Sequence, residues 1–328
     1  MALASGMHLK CCRKYREIMT HIEEYAHTTS NCVCCGGNRI SRSSAILMPF
    51  IAHRIYQWEP ALIDESWGLQ TIPNGRAYSL CNSLLCDQCG LLFLDIRFTD
   101  GELALLYRNY RDEAYTALRE LYEPGYRKRN EGIAKGMNYL NKVEEFLQPL
   151  LPAQMRVLDW GGDTGINTPF KSKGANTIHV YDISDIETTG GVRKVCKETV
   201  TQNSYDLIVC SNVLEHVPFP RRLLGEIRTA MTPTTVLYIE VPLENLRKKF
   251  IAGKQLLGKK RHWHEHINFF SRPSLEALVS SVGLSLQKFQ ILDILCDGQS
   301  YSQYMLSCCL PPASSNTSLD LGPDQLSK

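Results

Sequence analysis

Met155-Arg156-Val157-Leu158-Asp159-Trp160-Gly161-Gly162-Asp163-Thr164-Gly165 is the stretch on which the fold turns. Its first six residues form a short apolar run closing on an acid, the pattern of a strand buried on both faces of a parallel sheet. The glycines that follow suit a strand-to-helix turn, where backbone free to take positive φ approaches a ligand closely. The N–H groups and dipole of a helix starting there favour a carboxylate or a phosphate. Asp182 sits in the next apolar run, TIHVYDI (177–183), where a carboxylate can accept both hydroxyls of a ribose.

Downstream, YDLIVCSN (205–212) and TTVLYIEVP (234–242) read as further strands, with apolar residues at helical spacing in PRRLLGEIRTAM (220–231) between them. SRPSLEALVSSVG (271–283) reads as a helix with Ser271 as N-cap and Gly283 as its stop. LSLQKFQILDI and YSQYMLSCCL are expected to close the sheet as an antiparallel pair. Strands alternating with helices predict an α/β fold, doubly wound and Rossmann-like, with about seven strands.

Upstream, Thr99-Asp100-Gly101-Glu102 is a capping-box pattern that opens a helical stretch running to about residue 151, broken at Glu123-Pro124-Gly125. The chain thus divides into an extension (1–28), a cysteine-bearing module (29–98), a helical linker (99–151), an α/β domain (152–310) and a polar tail without periodicity (311–328), expected to be disordered.

Cys32-Val33-Cys34-Cys35-Gly36 and Cys86-Asp87-Gln88-Cys89-Gly90 are matched C-x-x-C-G pairs. Thiolates from Cys32, Cys35, Cys86 and Cys89 make a closed tetrahedral set, the geometry of structural Zn2+. A nucleophilic cysteine and chance pairing among the thirteen cysteines are the rival readings, and Cys34 and Cys81 are spares for a shifted register. The N-terminus has no long apolar run before its charges, so a reducing, cytoplasmic compartment is expected. A net charge of +2 creates no field demanding nucleic acid or an anionic membrane, and no 18-residue apolar run exists.

The spacing Asp159-x-Gly161-Gly162-x-x-Gly165 resembles motif I of class I S-adenosylmethionine-dependent methyltransferases, D-x-G-x-G-x-G, with Asp163 in place of the middle glycine. The run from Tyr205 through Asn212-Val213-Leu214-Glu215-His216-Val217 is similar to the "FDxIxxxxVLEHV" segment of that superfamily. The cysteine pairs, then CDQCGLLFLD and ELALLYRNY, resemble bacterial methyltransferases with an N-terminal zinc-binding domain, some of which C-methylate nucleotide-linked ketosugars. The resemblance implies S-adenosylmethionine held by Asp159, Gly161, Gly162, Gly165, Asp182 and Asn212, with Asp159 anchoring its amino-acid end.

Trp263-His264-Glu265-His266-Ile267-Asn268-Phe269-Phe270-Ser271 resembles the "HEHxxxFS" box of the same relatives. The resemblance implies Glu265 and His266 at the acceptor, His266 as the base and Glu265 orienting or polarising; histidine titrates where such a role needs it. Phe269 stands where those relatives often have tyrosine, so no hydroxyl is offered there. A packed loop and a metal site are the other readings; H-E-H is not H-E-x-x-H, and the sequence shows no third ligand. Arg247, Lys248, Lys249, Lys254, Lys259, Lys260 and Arg261 make a basic stretch without acids. It reads as a solvated face, as a clamp for a phosphorylated acceptor such as a nucleotide sugar, or as an RNA contact. The expected function is C- or O-methylation of a small acceptor, a nucleotide-linked sugar or another small molecule; an RNA methyltransferase and a non-catalytic, methyltransferase-like scaffold are the alternatives.

Overall fold

Cys86 leaves a strand that ties the cysteine module together. In the computed structural model, which describes residues 28–68, 75–77, 80–173, 177–184, 186–244, 246, 266–296 and 299–312, β1 (Ile40–Ile46) is followed by α1 (Pro49–Tyr56). The short pair β2 (Ala61–Ile63) and β3 (Gly75–Ala77) comes next, then β4 (Leu80–Cys86), antiparallel to β1, and β5 (Leu92–Leu94), antiparallel to β4. Pro49 starts α1 where its missing N–H costs nothing, and Phe50, Ile51 and Ile55 are buried.

The linker is helical as its caps predict. Thr99 Oγ1 accepts from Glu102 N at 3.2 Å and Thr99 N donates to the Glu102 carboxylate at 2.8 Å, opening α2 (Asp100–Tyr107). Asp112 caps α3 (Glu113–Tyr122). Glu123-Pro124-Gly125 separates α3 from α4 (Tyr126–Ala134), and α5 (Leu140–Leu147) follows. Between α2 and α3 the chain turns sharply: Asn109 and Arg111 sit at φ 54° and 65°.

Five parallel strands make the centre of the C-terminal half: β6 (Arg156–Trp160), β7 (Thr177–Tyr181), β8 (Arg193–Lys194), β9 (Leu207–Ser211) and β10 (Val236–Pro242). The helices α6 (Lys197–Thr201) and α7 (Pro220–Thr229) fall between these strands. After β11 (Asn268–Phe269), α8 (Arg272–Ser281) leads to the antiparallel pair β12 (Ser285–Cys296) and β13 (Gln299–Cys309). The seven-stranded order is β12-β13-β10-β9-β6-β7-β8. Connections run one way from β6 and the other way from β9, so the crevice beyond the carboxyl ends of β6 and β9 is the switch point where such sheets bind ligands. Alternate residues feed opposite faces. Val157, Val209 and Tyr238 pack on Val143, Phe146 and Leu147 of α5. Leu158, Ile208 and Cys210 share a core with Leu224 and Ile227 of α7 and with Leu275 and Leu278 of α8.

Three features depart from the expectations. The glycine loop does not open an α-helix; turns and one 3-10 turn at Lys171–Lys173 follow it. Asn167-Thr168-Pro169 explains this, because proline removes a donor and holds the residue before it out of helical conformation. The helix dipole expected at this loop is therefore absent. The two-residue β8 was not anticipated. β11 was not anticipated either, and it pairs with β5 of the cysteine module, Asn268 opposite Phe93 and Phe269 opposite Leu92. The module and the sheet also share a core in which Cys32, Cys34, Cys86 and Phe93 lie with Trp160 and Leu158. The basic stretch 247–261, Glu265, most of the extension and most of the tail lie outside the described residues.

Candidate functional site

Asp159 is the penultimate residue of β6 and is buried. Its Oδ2 accepts from Thr168 Oγ1 at 2.6 Å, and burial pushes its pKa up to about 7. Gly162 is forced by this carboxylate: a Cβ there would lie 2.5 Å from Asp159 Cγ. Gly161 takes φ 81° while its N–H donates to Tyr181 O at 2.7 Å, joining the ends of β6 and β7, and Gly165 takes φ 72° where the loop closes. Asp182, just past β7, accepts from Asp163 N at 2.9 Å and from Ser184 N at 2.7 Å. The two aspartates that the sequence assigned to one ligand thus lie around one loop.

Asp163 replaces the expected middle glycine and adopts φ 54°. Its side chain turns out of the loop toward the linker, where Oδ2 meets Arg111 Nη1 at 2.5 Å. Arg111 also donates to Tyr110 OH and lies over the Tyr110 ring, 4.7 Å from its centroid. Asp163 Oδ1 and Arg111 Nε are buried without hydrogen-bond partners. Burial holds the Asp163 carboxyl above its usual range even though Arg111 opposes that. Asp159, Asp163 and Asp182 repel one another. A ligand carrying positive charge next to a carboxylate would relieve that repulsion and give Arg111 Nε an acceptor. A sulfonium amino acid has that charge pattern.

Asn212 follows β9 at φ 54°. Its amide contacts Glu240 Oε1 at 3.2 Å and accepts from Gln303 Nε2 at 3.2 Å. Glu240 is buried in β10, accepts from Tyr139 OH at 2.7 Å and Tyr238 OH at 2.5 Å, and burial raises its pKa. This network fixes Asn212 at the rim of the crevice. The sequence reading missed Glu240, although an acid inside the apolar run VLYIEVP was the available signal.

Glu215, His216 and His266 come together beside this crevice, with donor atoms all within 4.8 Å of one another. The Glu215 side chain is only 2% exposed, and neither carboxylate oxygen has a hydrogen-bond partner. Burial pushes its pKa up to about 7. The His216 and His266 rings meet edge to face at 4.8 Å. His266 Nδ1 is 2.5 Å from Glu244 Oε1; burial pulls its pKa down, but Glu244 outweighs this and holds the imidazole above its usual value. His216, His266 and Glu244 are part-exposed, whereas the Glu215 carboxylate is buried. Two strand connections are stapled together here. Ile267 N and Asn268 N donate to Glu215 O at 2.8 and 3.1 Å, and Asn268 Nδ2 donates to Leu214 O and Val217 O. Buried Arg97 reaches Asn268 Oδ1 at 2.9 Å and Pro218 O at 2.8 Å. Phe269 is buried in β11. Glu244 had no sequence signal.

The four sulfurs of Cys32, Cys35, Cys86 and Cys89 also lie within 4.8 Å of one another, with Cys32–Cys89 at 3.5 Å and Cys35–Cys86 at 3.6 Å. Thiolates at a Zn–S distance of about 2.3 Å stand roughly 3.8 Å apart, so the set fits a tetrahedral zinc. The knuckles are twins: Gly36 and Gly90 take φ 75° and 74°, and each donates to the carbonyl of the first cysteine at 2.8 Å. Cys34 is no ligand in this arrangement; its thiol, pushed up by burial, hydrogen-bonds Cys32 and helps pull that thiol far below its usual range.

Residues 129–288 match the family model described as a methyltransferase domain. Among solved structures, the chain is similar to a SAM-dependent methyltransferase from Anabaena variabilis, at 15% identity over 53% of this chain and 86% of that one, TM-score 0.40. It is similar to the 1,6-didemethyltoxoflavin-N1-methyltransferase of Burkholderia thailandensis, at 15% identity over 77% and 100%, TM-score 0.44. The magnesium protoporphyrin IX methyltransferase of Synechocystis compares at 14% identity over 62% and 96%, TM-score 0.40. No helix among the described residues is long and apolar enough to cross a membrane.

Proposed function

We propose that this chain, whose residues 129–288 match a methyltransferase domain model, is a class I S-adenosylmethionine-dependent enzyme that methylates a small-molecule acceptor seated against Glu215, His216 and His266. The observation that carries the reading is the convergence of part-exposed His266, held by Glu244, with the buried carboxylate of Glu215. We assign the cofactor to Asp159, Gly161, Gly162, Gly165, Asp182 and Asn212, around the switch point of the sheet. Asp182 would accept from the ribose hydroxyls, and Asp159 would anchor the amino-acid end.

S-adenosylmethionine held by these residues would supply an activated methyl group, which the acceptor atom would take as the carbon–sulfur bond breaks and its electron pair stays on sulfur. The chain's own work is alignment, exclusion of water and easing the loss of the acceptor's proton. His266 meets the reacting atom, and Glu244 fixes its ring. Glu265, its neighbour in sequence, is assigned to the same pocket, and the basic stretch 247–261 to a phosphate on the acceptor. The thiolates of Cys32, Cys35, Cys86 and Cys89 are assigned to a structural Zn2+, which suits a reducing compartment such as the cytoplasm.

A screen with radiolabelled S-adenosylmethionine, nucleotide sugars first, tests the acceptor class. His266→Ala is expected to lower turnover by about 10²–10⁴-fold while leaving affinity for S-adenosylhomocysteine intact. Undiminished turnover in that variant would remove His266 from the reaction, and labelling of RNA instead would redirect the acceptor. Wild-type protein that takes up no cofactor in calorimetry would point to a scaffold.

A further inference from the structure

The thiolate module is not the only set of metal donors: Glu215, His216 and His266 converge in the same way just ahead of β11. We propose that these three side chains form a second metal site, which takes one divalent transition-metal cation at the place assigned to the acceptor. A carboxylate buried without a hydrogen bond is costly unless a positive group compensates it. Both Glu215 oxygens are in that condition, with His216 Nε2 3.9 Å from Oε1. Glu244 occupies His266 Nδ1 and leaves Nε2 for a ligand, the arrangement in which a carboxylate behind a ligating histidine fixes its ring and tautomer. The backbone needs no rearrangement to bring the donors together, because Ile267 N, Asn268 N and Asn268 Nδ2 already clamp the His266 segment onto residues 214–217.

The donor set chooses the ion. Two imidazoles and one carboxylate suit Mn2+, Fe2+, Co2+ or Zn2+, whereas the four thiolates select zinc. Three protein ligands leave coordination positions open, and the part-exposed histidines let an acceptor oxygen reach them. In the pocket this rests on the methyltransferase reading and refines it: His266 would hold the cation, and the cation would polarise the acceptor oxygen in place of direct contact by His266. As a binding site it stands apart from that reading, since uptake of metal requires neither cofactor nor acceptor.

Zinc-loaded, dialysed full-length protein is titrated with MnCl2, and free Mn2+ is followed by its electron paramagnetic resonance signal. About one bound Mn2+ per chain is expected, weakened at least about tenfold in Glu215→Gln and in His266→Ala and about 10–100-fold in Glu244→Gln. Cys196→Ser, at an exposed thiol outside both donor sets, is expected to leave Mn2+ uptake unchanged. Spin-echo modulation of the wild-type complex should show directly bound imidazole nitrogen, a reading that depends on no variant folding. No uptake of Mn2+, Co2+ or Zn2+ beyond the thiolate-bound zinc overturns the site, as does bound Mn2+ without nitrogen coupling. Metal uptake without any methyl transfer would leave the site standing and the function fallen; methyl transfer unaffected by the metal would do the reverse for its role.

Discussion

Arg111 Nη1 lies 2.5 Å from Asp163 Oδ2, and this pair joins the turn between α2 and α3 to the glycine loop after β6. Both residues hold left-handed backbone, at φ 65° and 54°, which non-glycine residues adopt at a cost. Each keeps a buried polar atom without a partner. An amino acid's ammonium and carboxylate would satisfy Asp163 and Arg111 together. Arg111→Ala is therefore expected to weaken S-adenosylhomocysteine by about tenfold or more, the worth of one charge-assisted hydrogen bond. Calorimetry should find 5′-methylthioadenosine, which lacks the amino-acid end, bound as tightly as before. Equal loss for both ligands would show a merely structural role.

Gly162 cannot gain a side chain without moving Asp159. With a Cβ 2.5 Å from Asp159 Cγ, Gly162→Ala should lower stability by about 1–3 kcal/mol, as overpacking does. It should also abolish measurable cofactor binding at concentrations that saturate the wild type. A thermal melt beside a calorimetric titration separates the two effects, and retained affinity would place the cofactor elsewhere.

Burial raises Asp159 to about 7, above its value in an unfolded chain. The sign follows: the stability this group contributes is fully present below about pH 4, where both states are protonated, and is lost as pH rises through about 7. Asp159→Asn should therefore raise the melting midpoint of the cofactor-free protein at pH 8, by about 2–4 °C per kcal/mol relieved, and change little at pH 4. Scanning calorimetry at the two pH values checks this; a larger gain at pH 4 would reverse the assignment. Cofactor affinity should fall in the same variant.

Removing one thiolate should cost both metal and the wall behind the sheet. Cys86 is buried in the core that contains Trp160 and Leu158. Cys86→Ser should lose the roughly one zinc per chain measured by elemental analysis and lower the melting midpoint. Zinc retained in full would break the four-cysteine set.

Most of the sheet was legible because its signals are local. Apolar runs mark β6, β7, β9 and β10, and side-chain caps at Thr99 and Ser271 mark the starts of α2 and α8. The matched glycines after Cys35 and Cys89 made the thiolate set visible in the same way. The illegible parts are non-local. β8 and β11 are each two residues long and exist only because a neighbour supplies the ladder. Arg111 reaches Asp163 from a turn, Glu244 meets His266 across an intervening stretch, and Glu215 joins His266 only when Asn268 docks on Leu214 and Val217. The helix expected after the glycine loop failed for a local reason, Pro169, that the loop motif overshadowed.

β11 gives the protein an indivisible build. His266 stands two residues before a strand whose ladder partner, β5, lies in the N-terminal half. Deleting the first hundred residues would therefore not liberate a self-sufficient catalytic fragment; it would strip the edge on which the His266 segment hangs and lay Phe269 open to water. A front piece grafted from another protein would have to bring a matching edge, so the two halves are free to diverge in sequence only as a couple.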